Sequence, residues 1–222
     1  MTSQFEDLDV RLQKQWERKA GLIKNDENLS PEELYFERAA IYAEFGKIMC
    51  VAAGIFTNTE KSDLGLRIKA FYGNDEKELL LGFKELVDQK LDKEALILCA
   101  HNGKEFDFPY LCRRYLINGI PLPEVLNISG KKPWEIKHID TMELWKFGDR
   151  KNYTSLDLLA AIFNIPSSKD NINGSMVNHV FYNENDSDKI ADYCKKDVLV
   201  TANLYLKLNT LSIIPPEKVV YV

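Results

Sequence analysis

The stretch His101-Asn102-Gly103-Lys104-Glu105-Phe106-Asp107 constrains this chain more than any other. It follows Ala95-Leu96-Ile97-Leu98-Cys99-Ala100, an unbroken apolar run that reads as a strand buried on both faces of a partly parallel sheet. From Glu105 to Ile117 the sequence reads as a helix, with Pro109 in the first turn, where a missing N–H costs little. Asp107 thus stands where a strand hands over to a helix, the usual place for ligands in open α/β sheets. A structural role fits the same position: Asp107 capping the helix and Asn102 closing the turn. The heptapeptide leaves both readings open.

The end of the chain carries a second carboxylate in a telling place. Asp186 to about Leu211 reads as one long helix in which Ile190, Asp197 and Leu204, seven apart, share nearly one azimuth, with Tyr193 one turn before Asp197. Burying an ionised carboxylate without a partner costs several kcal/mol, so Asp197 should meet a cation, a metal or a gap in the core. The alternatives are a surface position or a pair with a nearby lysine.

Composition sets the bounds. The chain has 222 residues, 45% hydrophobic and 28% charged, enough for one sizeable α/β domain with a real core. No segment has the length of a transmembrane span and the first thirty residues are charged rather than signal-like, so a cytoplasmic protein without membrane contact is expected. The four cysteines, Cys50, Cys99, Cys112 and Cys194, lie far apart with no C-x-x-C, which predicts reduced, buried thiols without zinc or disulfides. A net charge of -5 argues against a broad basic face for duplex nucleic acid and still permits a small site for one strand end.

Along the chain, Phe5 to Ala20 predicts a helix, and Ser30-Pro31-Glu32-Glu33 opens a second with the features of a capping box, expected to run to about Phe45. Lys47 to Thr57 and Leu64 to Tyr72 predict an antiparallel pair in one sheet with Ala95 to Ala100, and Asn74-Asp75 opens a helix reaching Leu91. Residues 119 to 137 read as irregular, His138 to Thr141 as a short strand ending in a carboxylate, Ser155 to about Asn164 as a helix, and Ser167 to Ser175 as a polar loop.

Asn102-x-x-x-Phe106-Asp107 resembles the second motif of the DEDD 3′-to-5′ exonucleases, and Tyr193-x-x-x-Asp197 resembles the third motif of their tyrosine subclass. His138-Ile139-Asp140-Thr141 and Thr154 to Leu159 resemble the segment between, and the similarity, running from about residue 5 to 212, is nearest to bacterial predicted exonucleases related to the proofreading domain of family B DNA polymerases. The resemblance implies an RNase H-like mixed sheet flanked by helices and a single domain over residues 1–222. It implies two Mg²⁺ or Mn²⁺ ions, about 3.5–4 Å apart, hydrolysing phosphodiesters at the 3′ end of single-stranded nucleic acid. On it Asp107 and Asp197 are catalytic metal ligands and Tyr193 orients the attacking water. Asn102, Phe106 and Phe108 line the pocket for the terminal nucleotide. Lys104, Arg113 and Arg114 read as phosphate contacts or as exposed helix charge.

The family's first motif, Asp-x-Glu on a central strand, is not found in place. Asp92-Lys93-Glu94 lies at the wrong end of its strand, roughly 20 Å from Asp107 at about 3.3 Å per extended residue, and Asp7-Leu8-Asp9 reads as a solvated helix face. Asp140 and Glu143 are weaker substitutes. Two expectations compete: a chain truncated at its N-terminus relative to the family, or a catalytically inactive nuclease-like module that binds nucleic acid or a protein partner. The first is preferred, because loss of a central strand strips backbone partners from both neighbours.

Overall fold

The computed structural model describes residues 1–57, 63–92, 95–149, 153–167, 177–184 and 186–222. Helix α1 (Val10–Ala20) is capped by Asp9, and a separate 3-10 turn, Phe5–Asp7, precedes it, so the helix expected from Phe5 is broken at Leu8-Asp9. Helix α2 (Pro31–Arg38) has the expected capping box: the Ser30 hydroxyl accepts from the Glu33 N–H and Glu33 accepts from the Ser30 N–H. It stops at Arg38 rather than Phe45, giving way to a 3-10 turn that folds Tyr42 and Phe45 back onto Trp16. These pieces form a satellite core around Trp16 and Tyr35.

Strands β1 (Cys50–Thr57) and β2 (Gly65–Tyr72) pair antiparallel over eight residues, from Cys50 opposite Tyr72 to Thr57 opposite Gly65, as the alternating pattern predicts. A third strand, β5 (Val219–Tyr221), lies parallel to the far side of β2. Alternation gives this sheet two faces. Leu66 and Ile68 look towards helix α8 (Ser187–Leu208), packing with Val198, Leu206 and Ile214. Val51, Ala53 and Phe71 look the other way, onto helix α3 (Glu76–Glu85) and helix α4 (Asp107–Ile117), around Leu80, Phe83, Phe108 and Tyr115.

The organising run behaves differently from its prediction. Only β3 (Cys99–Ala100) is a strand, and it pairs in parallel with β4 (Ile139–Asp140), not with β1. Ala95, Ile97 and Cys99 are exposed while Leu96, Leu98 and Ala100 turn towards the α4 core, so one face alone is covered. A strand gains from an all-apolar sequence only where both faces are packed, and among the described residues β1 and β3 each have an edge without a strand partner. Lys93 and Glu94 of the Asp-x-Glu near this run, and most of the loop from Ser167 to Ser175, lie outside the described residues.

Helices α5 (Thr141–Lys146) and α6 (Leu156–Ile162) follow β4 and pack against α8 through Trp145, Leu159, Val200 and Leu204. Helix α7 (Val177–His179) runs into a π-helical turn, Val180–Glu184, and Asp186 caps α8 by accepting the Lys189 N–H. Helix α8 therefore packs on β1 and β2 and on the two helices that follow β4. Arg114 is neither a phosphate contact nor exposed charge: it is buried, donating to both Glu76 oxygens at 2.9 and 2.5 Å and to the Ala43 carbonyl.

Candidate functional site

The turn from β3 into α4 is built by a neighbouring carboxylate. Asp140, at the end of β4 and only 2% exposed, accepts the backbone N–H groups of Asn102 (2.9 Å), Lys104 (3.1 Å) and Met142 (3.0 Å). One side chain thus pins the loop before α4 and caps α5. Asn102 takes a left-handed conformation, φ 63°, which asparagine tolerates better than most residues. Gly103 follows because a Cβ there would stand 2.3 Å from that of Ala100. His101 ties the same turn to later segments: its Nε2 donates to the Thr154 carbonyl at 2.8 Å and its Nδ1 meets the Thr141 hydroxyl at 2.9 Å. Burial lowers the His101 pKa, which keeps the ring neutral and fits that arrangement.

Asp107 does not cap α4. The N-cap position is Phe106, which makes no side-chain cap bond. Its pKa is pushed up to about 6, first by burial, then by the charges of Asp140 and Asp197. The side chain is nonetheless exposed at the surface, which discounts the part of that shift due to burial, while two negative neighbours act on it from two other elements. The cost of holding such a group is commonly a mark of function.

On α8 the expected row holds: Ile190 and Leu204 are buried and Asp197 is half-buried between them. Tyr193 lies one turn before Asp197 on the same helix, and burial together with that carboxylate raises its pKa, so it remains protonated. Asp157, near the start of α6, adds to the negative potential felt by Tyr193.

The other residues separate. The Asn102 side chain has its Oδ1 buried and unpartnered, the sole buried side-chain N or O atom in that state among the described residues, and so available to a ligand. Phe106 is 43% exposed and leans on Tyr110. Phe108 is 5% exposed and packs edge-on against His138, 5.2 Å between ring centres, which places it in the core rather than at an open wall. The Lys104 ammonium pairs with Glu143 at 2.7 Å. Asp140 has its oxygens occupied by N–H groups, so neither it nor Glu143 stands ready as a substitute ligand. What the sequence reading missed is this anchoring role; its one signal is a carboxylate between a short strand and a helix start, the position of a cap.

Among the described residues no three His, Cys, Asp or Glu side chains form a group able to hold a metal ion. Asp107 and Asp197 by themselves do not fit a pair of hard divalent cations, which take six or more oxygen ligands each. No helix among the described residues is long and apolar enough to cross a membrane.

A comparison with curated proteins gives no match. A family model described as a predicted 3′-5′ exonuclease related to the exonuclease domain of PolB matches residues 42–213. That span holds β1 to β4, Asn102 to Asp107, Tyr193 and Asp197, and leaves α1 and α2 outside it. On that match the chain belongs to the family of predicted 3′-5′ exonucleases related to the PolB exonuclease domain.

Proposed function

We propose that this chain carries the substrate-facing part of a 3′-to-5′ exonuclease of the tyrosine DEDD type, releasing nucleoside 5′-monophosphates from the 3′ end of a single strand. The observation that carries the reading is the electrostatic convergence of Asp107, at the start of α4, and Asp197, on α8 with Tyr193 one turn before it. Tyr193, a protonated donor beside a carboxylate, is suited to orienting a water molecule. Asn102 supplies a buried polar atom for the terminal nucleotide and Phe106 an exposed ring on which a base stacks.

Two carboxylates are too few for the Mg²⁺ or Mn²⁺ pair of this chemistry. The unpartnered edges of β1 and β3, which lie over one shared core, suit an additional strand between them, and an Asp-x-Glu on such a strand completes the ligand set. The second reading, a module that binds without cutting, is favoured by the shortage of ligands among the described residues.

Digestion of 3′-labelled and 5′-labelled oligonucleotides in Mg²⁺ or Mn²⁺ separates the two. The proposal expects stepwise loss from the 3′ end by a protein extended upstream in frame, abolished by Asp107→Asn or Asp197→Asn and slowed less by Tyr193→Phe. Absence of an upstream Asp-x-Glu, with strand binding but no digestion, overturns it in favour of the binding module.

A further inference from the structure

Two aromatic side chains beyond the candidate site are held out to solvent, one of them at a backbone cost. Phe147, which ends α5, is 90% exposed and takes a left-handed conformation, φ 45° and ψ 36°. That region is disfavoured for a bulky side chain and at a helix end is usually given to glycine or asparagine. A glycine stands next in the chain, Gly148 with φ 90°, so nothing in the turn calls for phenylalanine at 147. Packing does not repay the strain either: α5 turns Met142 and Trp145 inward, Trp145 against Phe163, and leaves the Phe147 ring outside. A strained residue that neither turn nor core requires is a candidate for binding. Tyr153, shortly before α6, is 68% exposed.

Both rings connect to the turn that carries Asn102. The Thr154 carbonyl, next to Tyr153, accepts from His101 at 2.8 Å, and the Thr141 hydroxyl, at the start of α5, meets the other ring nitrogen at 2.9 Å. Asp140 caps α5 while holding the Asn102 N–H, so this helix begins at the turn and its six residues carry Phe147 about 9 Å along it. We propose that Tyr153 and Phe147 form a stacking path for the bases that precede the 3′-terminal nucleotide, continuing from Phe106, with Lys146 beside Phe147 to meet a phosphate. The path rests on the exonuclease reading for its direction. Stacking requires rings that stand free of the core and bases whose faces are open, which makes the ligand a single strand and not a duplex. Trp134 is 78% exposed but precedes β4, whereas the site lies past the end of that strand, so it is left out of the path.

The test needs no turnover, and because stacking reads the base and not the sugar, deoxythymidine probes serve. Oligonucleotides with 5-iododeoxyuridine at the first, second or third position from the 3′ end are bound to the 222-residue chain at low salt and irradiated, and the cross-linked peptides are identified by mass spectrometry. The second and third positions should label Tyr153 and Phe147. In anisotropy titrations, fluorescein-labelled (dT)8 should bind roughly 5- to 150-fold more weakly to Phe147→Gly and to Tyr153→Ala, while Trp134→Ala matches the parent. Phe147→Gly should not lower Tm, since glycine relieves the left-handed strain and the ring buries little. A lower Tm makes Phe147 a structural residue and overturns the proposal. Binding that Phe106→Ala weakens, and that Phe147→Gly and Tyr153→Ala leave unchanged, overturns the path and keeps the exonuclease reading. Absence of (dT)8 binding overturns both. A dimer that the two variants dissociate, with (dT)8 binding unchanged, assigns the rings to a contact between copies of the chain and overturns the path as well.

Discussion

The two strand groups of this protein are held by different means. β1 and β2 share an eight-residue antiparallel ladder, with Leu66 and Ile68 buried under α8. β3 and β4 share two residues each, and what fixes them is side chains: Asp140 on three N–H groups, His101 on Thr141 and Thr154, His138 on the Leu98 N–H and the Val125 carbonyl. A backbone ladder tolerates the loss of any one side chain's polar atoms. A strand pair of two residues does not. The candidate site sits on the second kind of support.

The largest effect is therefore expected at Asp140. Asp140→Ala leaves three N–H groups without acceptors, at about 1–3 kcal/mol for each that water does not reach. Hydrogen exchange should accelerate first at Asn102 to Asp107, while β1 and β2 keep their protection until global unfolding. Equal loosening of both strand groups would break the contrast. Ile68→Ala, in the ladder region, removes a side chain that is 0% exposed and should cost about 3 kcal/mol in denaturant unfolding. Its loss should be global, with no selective opening of the turn before α4.

The same contrast explains what the sequence disclosed. The β1–β2 pair, the α2 capping box, the α6 start at Ser155 and the α8 row of Ile190, Asp197 and Leu204 rest on local periodicity and caps, and each was legible. β5 was not, because three residues next to Pro215-Pro216 gain their strand only from a parallel partner about 150 residues earlier. The run from Ala95 was over-read: apolar content marks burial, and pairing requires a neighbour on each edge. Asp107 and Asp197 stand out through motif spacing, whereas the Asp140 anchor and the Glu76–Arg114 pair join segments that no local pattern connects.

A third measurement separates structural from functional carboxylates within the site. The Asp107 pKa is raised, so the folded state binds its proton more tightly than the unfolded chain does. Its ionisation therefore weakens the fold as pH rises through about 6, and below 3.8 neither state is affected. Asp107→Asn should stabilise the protein at pH 8, by about 1 kcal/mol once solvent contact is allowed for, and leave it unchanged at pH 3. Asp140→Asn should destabilise at both. A loss of stability for Asp107→Asn at pH 8 would show that Asp107 is a second anchor and not a group held at a cost for chemistry.

The smallest effect divides one residue in two. Lys104 takes part in the anchor through its backbone, which donates to Asp140, and in a surface pair through its ammonium, 2.7 Å from Glu143. Truncating the side chain removes the pair and keeps the N–H. Exposed pairs contribute about 0–1 kcal/mol, since solvent screens the charges and ordering two long side chains costs entropy. Lys104→Ala should shift the unfolding midpoint barely, with a difference that shrinks as salt rises, and hydrogen exchange from Asn102 to Asp107 should be unchanged. If exchange there rises as it does in Asp140→Ala, the turn is held by the Lys104–Glu143 ion pair as well as by Asp140. The division between backbone-held and side-chain-held strands would then extend to the charged surface above the site.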